Sequence, residues 1–148
     1  MGKIIKIIII VTALLLNNCS EPIMAIFDIN LLVNANDEKV NDILGKPEKS
    51  EKFTKQPCGK DNCFLNVYLN NQLEIIFLND KVGRITFTPK NKIKFKENSI
   101  EYLGLKPLKP TTETKTVLRW DNFYNLQEVA VFKLNNEYID YYLIRVTF

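Results

Sequence analysis

The side chains with the richest chemistry in this sequence are three cysteines, Cys19, Cys58 and Cys63. The last two bracket the segment Cys58-Gly59-Lys60-Asp61-Asn62-Cys63. A pair at this spacing either closes a disulfide across a turn or supplies half of a thiolate metal site. The metal reading needs two more soft ligands, and the chain has no histidine and a single other cysteine. A disulfide is therefore expected, with no metal and no cofactor. So short a loop removes less unfolded-state entropy than the ~3 kcal/mol estimated for a fifteen-residue loop, so its expected role is to fix the shape of the loop.

The missing histidine also removes Ser-His-Asp and Cys-His nucleophile systems and the usual acid–base group at neutral pH. The five glycines form no Gly-x-Gly-x-x-Gly or Walker arrangement, which sets aside the phosphate-cradling loops of Rossmann and P-loop proteins. Seventeen carboxylates would suffice for a glycosidase, but they fall at a helix start (Asp37, Glu38) and at turns (Asp80, Asp121, Glu137), where capping and turn formation account for them. Asp140, set between Ile139 and Tyr141, is the least explained of them; no catalytic residue is assigned. Trp120, Phe123, Tyr124, Tyr138, Tyr141 and Tyr142 crowd into 23 residues. Strand alternation would put Ile139, Tyr141 and Leu143 on one face and Tyr138, Tyr142 and Ile144 on the other. A sheet apolar on both faces must cover the second with something, and Trp120, Tyr124, Tyr138 and Tyr142 are the expected partner surface.

The N-terminus dictates where this chemistry takes place. Lys3 and Lys6 precede the run Ile7–Leu16, after which Asn17 and Asn18 restore polarity. This is the charge-then-apolar pattern of a signal peptide over residues 1–18, and the run is about half of the ~20 residues a bilayer span requires. Leu16-Asn17-Asn18-Cys19-Ser20 resembles the lipobox of bacterial lipoproteins, with a leucine three residues before the cysteine and with Asn18 where the family has a small residue. The resemblance implies a lipid on Cys19 and a membrane anchor facing the periplasm. The competing reading is cleavage after Ala25, in Ile23-Met24-Ala25, releasing a soluble periplasmic or secreted protein. Under either, the Cys58–Cys63 pair meets an oxidising compartment. Loss of residues 1–18 leaves 18 basic against 17 acidic residues, too even a balance for a nucleic-acid binder. The single basic run, Lys90, Lys92, Lys94 and Lys96 alternating with Ile93 and Phe95, reads as an extended segment with a solvated face.

Four segments organise the chain: 1–18, the signal peptide; 19–35, a tether with a candidate first strand; 36–88, a helix and a β-meander; and 89–148, a second helix and meander. Asn36 caps a helix with Asp37 and Glu38 in its first turn and Val40, Ile43 and Leu44 on one face, and Gly45 and Pro47 end it. Strands follow at Cys63–Leu69, Leu73–Leu78 and Val82–Thr88, separated by turns at Asn70-Asn71 and Asn79-Asp80-Lys81. Leu65, Val67 and Leu69 share one face of the first strand, and Phe64, Asn66 and Tyr68 the other. Pro107, Pro110 and the tract Thr111–Thr116 form a loop before the second meander. The second half echoes the first: Leu44-Gly45 in Leu103-Gly104, Asp61-Asn62 in Asp121-Asn122, Arg84-Ile85-Thr86-Phe87 in Arg145-Val146-Thr147-Phe148, and the turn at Asn79 in Asn135-Asn136-Glu137. The expected class is α+β, with short helices on one face of an antiparallel sheet and two tandem helix–loop–meander repeats; the alternative is one α+β domain with two helices.

The helix ending in Leu44-Gly45-Lys46-Pro47, the following loop and strand, the turn Asp80-Lys81-Val82 and the closing strand resemble small envelope lipoproteins of the SmpA/OmlA type and the related β-lactamase-inhibitor-like fold. The likeness covers about fifty residues, and again, more faintly, the second half. It implies binding rather than catalysis: an accessory of outer-membrane protein assembly, or a module that plugs or scaffolds a partner. The expected function is thus an envelope protein-binding module that is not an enzyme. The competing readings are a small-molecule or lipid carrier and a carboxylate-dependent hydrolase of cell-envelope polymers.

Overall fold

The computed structural model describes residues 22–59, 62–135 and 137–147. The signal segment and Cys19 lie outside the described residues, as do Asp61, Asn136 and Phe148. The α-helix spans Asp37–Leu44. The Asn36 side chain accepts from the Lys39 amide at 3.0 Å, taking up one of the donors that a helix start leaves unpaired. Gly45 ends the helix at φ 85°, a conformation costly for any other residue. A 3₁₀ turn, Ile29–Leu31, precedes it. Residues 22–35 otherwise form no strand, so the expected first strand is replaced by a segment that buries Phe27, Ile29 and Leu32.

Among the described residues eight strands form one antiparallel sheet: β1 (Lys49–Lys52), β2 (Cys63–Tyr68), β3 (Leu73–Leu78), β4 (Lys81–Phe87), β5 (Thr112–Glu113), β6 (Val117–Phe123), β7 (Leu126–Lys133) and β8 (Ile139–Val146). Their order is β1-β2-β3-β4-β8-β7-β6-β5. The chain winds through β1 to β4, leaves the sheet, and passes through a 3₁₀ helix at Glu97–Leu103. It returns at the opposite edge and winds back until β8 pairs with β4. The hairpin turns use the residues that tolerate positive φ, with Asn70 and Asn71 at 55° and 63° and Asn79 and Asp80 at 50° and 65°. Both edges are short and polar, β1 being Lys-Ser-Glu-Lys and β5 Thr-Glu, which discourages pairing with another chain.

One sheet face is the main core. Tyr68, Ile75, Phe77, Ile85, Phe87, Val129, Val131, Leu118, Trp120, Tyr142 and Ile144 are buried in a cluster with Val40 of the α-helix and Ile100 and Leu103 of the 3₁₀ helix. Two buried tyrosines tie helical segments to this face. The Tyr68 hydroxyl donates to Asn41 Oδ1 at 3.0 Å, and that of Tyr142 donates to the Ser99 carbonyl at 3.1 Å. Asn66, buried on the same face, donates to Asp37 Oδ1 at 2.7 Å and to the Tyr68 oxygen at 3.0 Å. Burial raises both phenol pKa values, and that of Tyr142 further.

Leu69 does not continue the face of Leu65 and Val67: β2 stops at Tyr68, and Leu69 turns at φ 55° toward the main core. The second helix is 3₁₀ rather than α, and ends at Gly104 with φ 74°. A Cβ there would lie 3.0 Å from Asp28 Cα, so the close approach of the N-terminal segment also requires glycine. Register shifts in β8 against β7, where Phe132 pairs with Tyr141 but Lys133 with Ile139, leave Asp140 as the extra residue of a bulge. The bulge puts Ile139 in the core with Tyr142 and Ile144, and turns Tyr141 and Leu143 to the other face. Strict alternation, which groups Ile139 with Tyr141, fails for that reason. Trp120 and Tyr142 are 1% and 0% exposed, so they are core residues and not a partner surface.

Two outcomes follow. Trp120→Ala removes a fully buried indole whose Nε1 donates to the Leu108 carbonyl at 2.7 Å, and should cost about 3–5 kcal/mol in denaturant unfolding; a loss under about 1 kcal/mol would contradict its core placement. The unfolded chain ionises its tyrosines near pH 10, whereas the Tyr142 phenol is held neutral well above that. Stability from this group is therefore complete below about pH 10 and should fall as pH rises further, with Tyr142→Phe flattening the fall in a series of urea melts.

Candidate functional site

The opposite sheet face is built differently in its two halves. Over β2 and β3 it is covered: Cys58, Cys63, Leu65, Val67 and Ile76 form a second buried cluster with Phe53 and Leu78 packed against it. The cover is the loop between β1 and β2, held where the Cys58 and Cys63 sulfurs stand at disulfide distance, 2.13 Å. The loop is mostly polar and exposed, and among its described residues sets only Phe53 and Cys58 against this half of the outer face.

Over β6, β7 and β8 no described residue forms an equivalent cover, and the register arranges the side chains of this face in rows. Arg84, Arg145, Glu128 and Asp121 stand side by side across β4, β8, β7 and β6. The next row is Thr86, Leu143, Ala130 and Arg119, and beyond it Tyr141, Phe132 and Val117. Phe132 and Tyr141 stack with ring centroids 4.4 Å apart and planes at 14°. These two, with Leu143 and Val117, are only half-buried. The face therefore carries an apolar strip beside a charged one.

Within the charged strip two like charges meet. Arg84 and Arg145 are directly paired across β4 and β8, an arrangement that is destabilising on its own. Glu128 serves two cations, with oxygens 3.7 Å from Arg145 Nη1 and 3.9 Å from Arg119 Nε. Arg84 Nη1 donates to the Gln56 carbonyl at 3.2 Å, its guanidinium lies 5.8 Å from the centroid of the Phe53 ring, and its buried Nε has no hydrogen-bond partner among the described residues. Burial works first against the Arg84 cation; Glu74 on β3 favours it and Arg145 opposes it. A pocket of about 300 Å³ opens here, walled by Gln56, Pro57, Gly83, Arg84, Gln127 and Arg145. Gly83 and Gln127 are both bulge residues, skipped by the registers of β4 with β3 and of β7 with β8.

The aromatic residues expected to form a surface do not come together. Besides the buried Trp120 and Tyr142, Tyr124 is 57% exposed at the β6–β7 turn, against Phe123. Tyr138 lies at the other end of β7 and β8, its ring 5.4 Å from the Lys92 ammonium. Asp140 is half-buried in its bulge, with no ion pair among the described residues. Sequence reasoning passed over Arg119, Glu128, Phe132 and Leu143 as site residues and used Arg84 and Arg145 only as a repeated motif. The signal available was the alternation of Arg119 and Asp121 with Leu118 and Trp120, and of Glu128 and Phe132 with Val129 and Val131.

The lysine run behaves as expected. Ile93 is buried and Phe95 half-buried, while Lys90, Lys92, Lys94 and Lys96 are exposed. Among the described residues no group of three or more acidic or cysteine side chains could hold a metal, and no helix is long and apolar enough to cross a membrane. Protein-family models, curated proteins and solved structures were compared with the chain, and none matches.

Proposed function

We propose that this chain is an exported, lipid-anchored envelope protein that binds a protein partner through the outer sheet face of β6, β7 and β8, and that it is not an enzyme. The observation that carries this reading is the uncovered strip of Val117, Phe132, Tyr141 and Leu143 beside Arg119 and Arg145, next to a half-sheet that the chain covers with its own cross-linked loop. Aromatic and arginine side chains set side by side are the composition of interface hot spots. The contact surface therefore shifts from Trp120 and Tyr142 to Phe132 and Tyr141. Export and anchoring rest on the pattern of residues 1–19, and the cysteines at disulfide distance agree with an oxidising compartment.

The proposal includes the tandem arrangement of two helix–loop–meander units with their helices on one sheet face. It is supported by the palindromic strand order and by glycines at positive φ ending both helical segments, Gly45 and Gly104. The equivalent arginines also meet each other across the central strand pair, where a two-fold relation between the units would bring them. The echo of Asp61-Asn62 in Asp121-Asn122 is no part of it, since Asn62 precedes β2 and Asp121 and Asn122 lie inside β6. The likeness to envelope lipoproteins of the SmpA/OmlA type and to the inhibitor-like fold makes an outer-membrane assembly component the partner class to look for first.

Tagged full-length protein purified from its native envelope should bring down a partner in fixed proportion. The Phe132→Ala/Tyr141→Ala variant should recover at least about tenfold less, since losing a hot spot costs roughly 2 kcal/mol or more, with a melting temperature close to that of the unmodified chain. Equal recovery by the variant would move the contact elsewhere, and a protein that elutes alone would end the reading. Mass spectrometry of the mature N-terminus tests the anchor: a diacylglyceryl mass on Cys19 is expected, and a chain starting at Ile26 would refute it.

A further inference from the structure

We infer that the pocket between Arg84 and Arg145 is a binding site for a small anion carrying a carboxylate or phosphate group, held by both guanidinium groups. The site rests on the geometry of β4 and β8 and not on the protein-binding reading, so it stands even if the outer face contacts no protein.

The cations in the pocket are fixed by the fold. Arg84 and Arg145 are cross-strand partners in the middle of the sheet, and a guanidinium does not shed its proton to relieve the repulsion. The negative charge nearby is divided. Glu128 is shared between Arg145 and Arg119 at 3.7 and 3.9 Å. No carboxylate among the described residues comes within ion-pair distance of Arg84, whose one side-chain hydrogen bond runs to the uncharged Gln56 carbonyl. Its Nε, a buried donor, has no partner among the described residues. Donors remain on a charged fork whose planar geometry suits carboxylate and phosphate oxygens. An anion between the two arginines would turn their repulsion into attraction for a common ligand.

The space is there to receive it. The pocket's volume of about 300 Å³ is at the lower end for small-molecule sites, which fits an anionic head group and little more. Gly83 adds no side chain to its wall, and the bulges at Gly83 and Gln127 interrupt the ladder on both flanks, a device that re-aims side chains beside binding sites. Gln56 and Pro57 belong to the loop seated by the Cys58–Cys63 cross-link, so one wall of the pocket depends on that loop staying in place.

The test is a titration of the full-length chain, at constant ionic strength, with inorganic phosphate and separately with succinate, following the arginine Nε–Hε resonances by NMR. Saturable shifts at Arg84 and Arg145 are expected, with a Kd on the order of 1 mM. Arg84→Gln and Arg145→Gln should each weaken binding about tenfold, the loss of a charge-assisted hydrogen bond, and should stay folded, since relief of the repulsion offsets the lost Arg84–Gln56 hydrogen bond and Arg145–Glu128 ion pair. Should either glutamine variant fail to fold, Arg84→Lys keeps the charge and loses the fork, and should bind severalfold more weakly at an unchanged melting temperature. Saturation by phosphate alone names a phosphate site, and saturation by both ligands a general oxyanion site. Saturation by succinate alone names a carboxylate site. Linear shifts that never saturate, or that are the same in the variants, would overturn the inference.

Discussion

The pairing of β4 with β8 is the interaction on which the remainder of the structure depends. These strands are the last of each meander, and no turn joins them; the chain between them makes a 3₁₀ helix, an edge strand and a hairpin. Four residue pairs form the seam, Arg84 with Arg145, Ile85 with Ile144, Thr86 with Leu143 and Phe87 with Tyr142. On the core side Ile85, Phe87, Tyr142 and Ile144 are wholly buried. The Phe87 ring lies 5.6 Å from that of Tyr142 and 5.3 Å from that of Phe27. Hydrophobic burial on one side thus holds together two strands whose other side sets two positive charges face to face. Such a contact between distant parts of the chain forms at the cost of closing a long loop.

The same seam makes one sheet with two unlike faces. The core face is filled from end to end, from Tyr68 in β2 to Trp120 in β6, with the segment at Phe27–Leu32 and the helical residues Val40, Ile100 and Leu103 joining its cluster. The outer face is covered in one half by Phe53 and Cys58 of the loop before β2, and no described residue covers the other. Its open half combines an aromatic stack, aliphatic side chains and arginines with few close carboxylates. Folding alone gives no reason for that combination, which is why the proposed functions are read there and not among the buried aromatic residues.

Much of the first half was legible in the sequence. The helix and its cap at Asn36, the glycine stop, the hairpin turns at Asn70-Asn71 and Asn79-Asp80 and the cysteine pair all rest on local chemistry, and local chemistry survives into the fold. The alternation of lysines with Ile93 and Phe95 was legible for the same reason. What could not be read was whatever depends on a bulge or on distant pairing. One extra residue at Asp140 puts Ile139 and Tyr141 on opposite faces, with Ile139 in the core beside Tyr142. The burial of Trp120 depends on its register opposite Val129. The meeting of Arg84 with Arg145 was visible only as a repeated motif, because nothing local says that the two copies are neighbours. β1 and β5 are too short and polar to announce themselves.

Native-state hydrogen exchange across the sheet tests the seam most directly. The slowest backbone amides within residues 84–87 and 142–145 should exchange only through global unfolding, with the same free energy as the best protected amides of the β2–β3 and β6–β7 hairpins. If both segments exchange by local opening while the hairpins stay protected, the two meanders are not joined through β4 and β8. The shared outer face and its arginine pocket would then fall together.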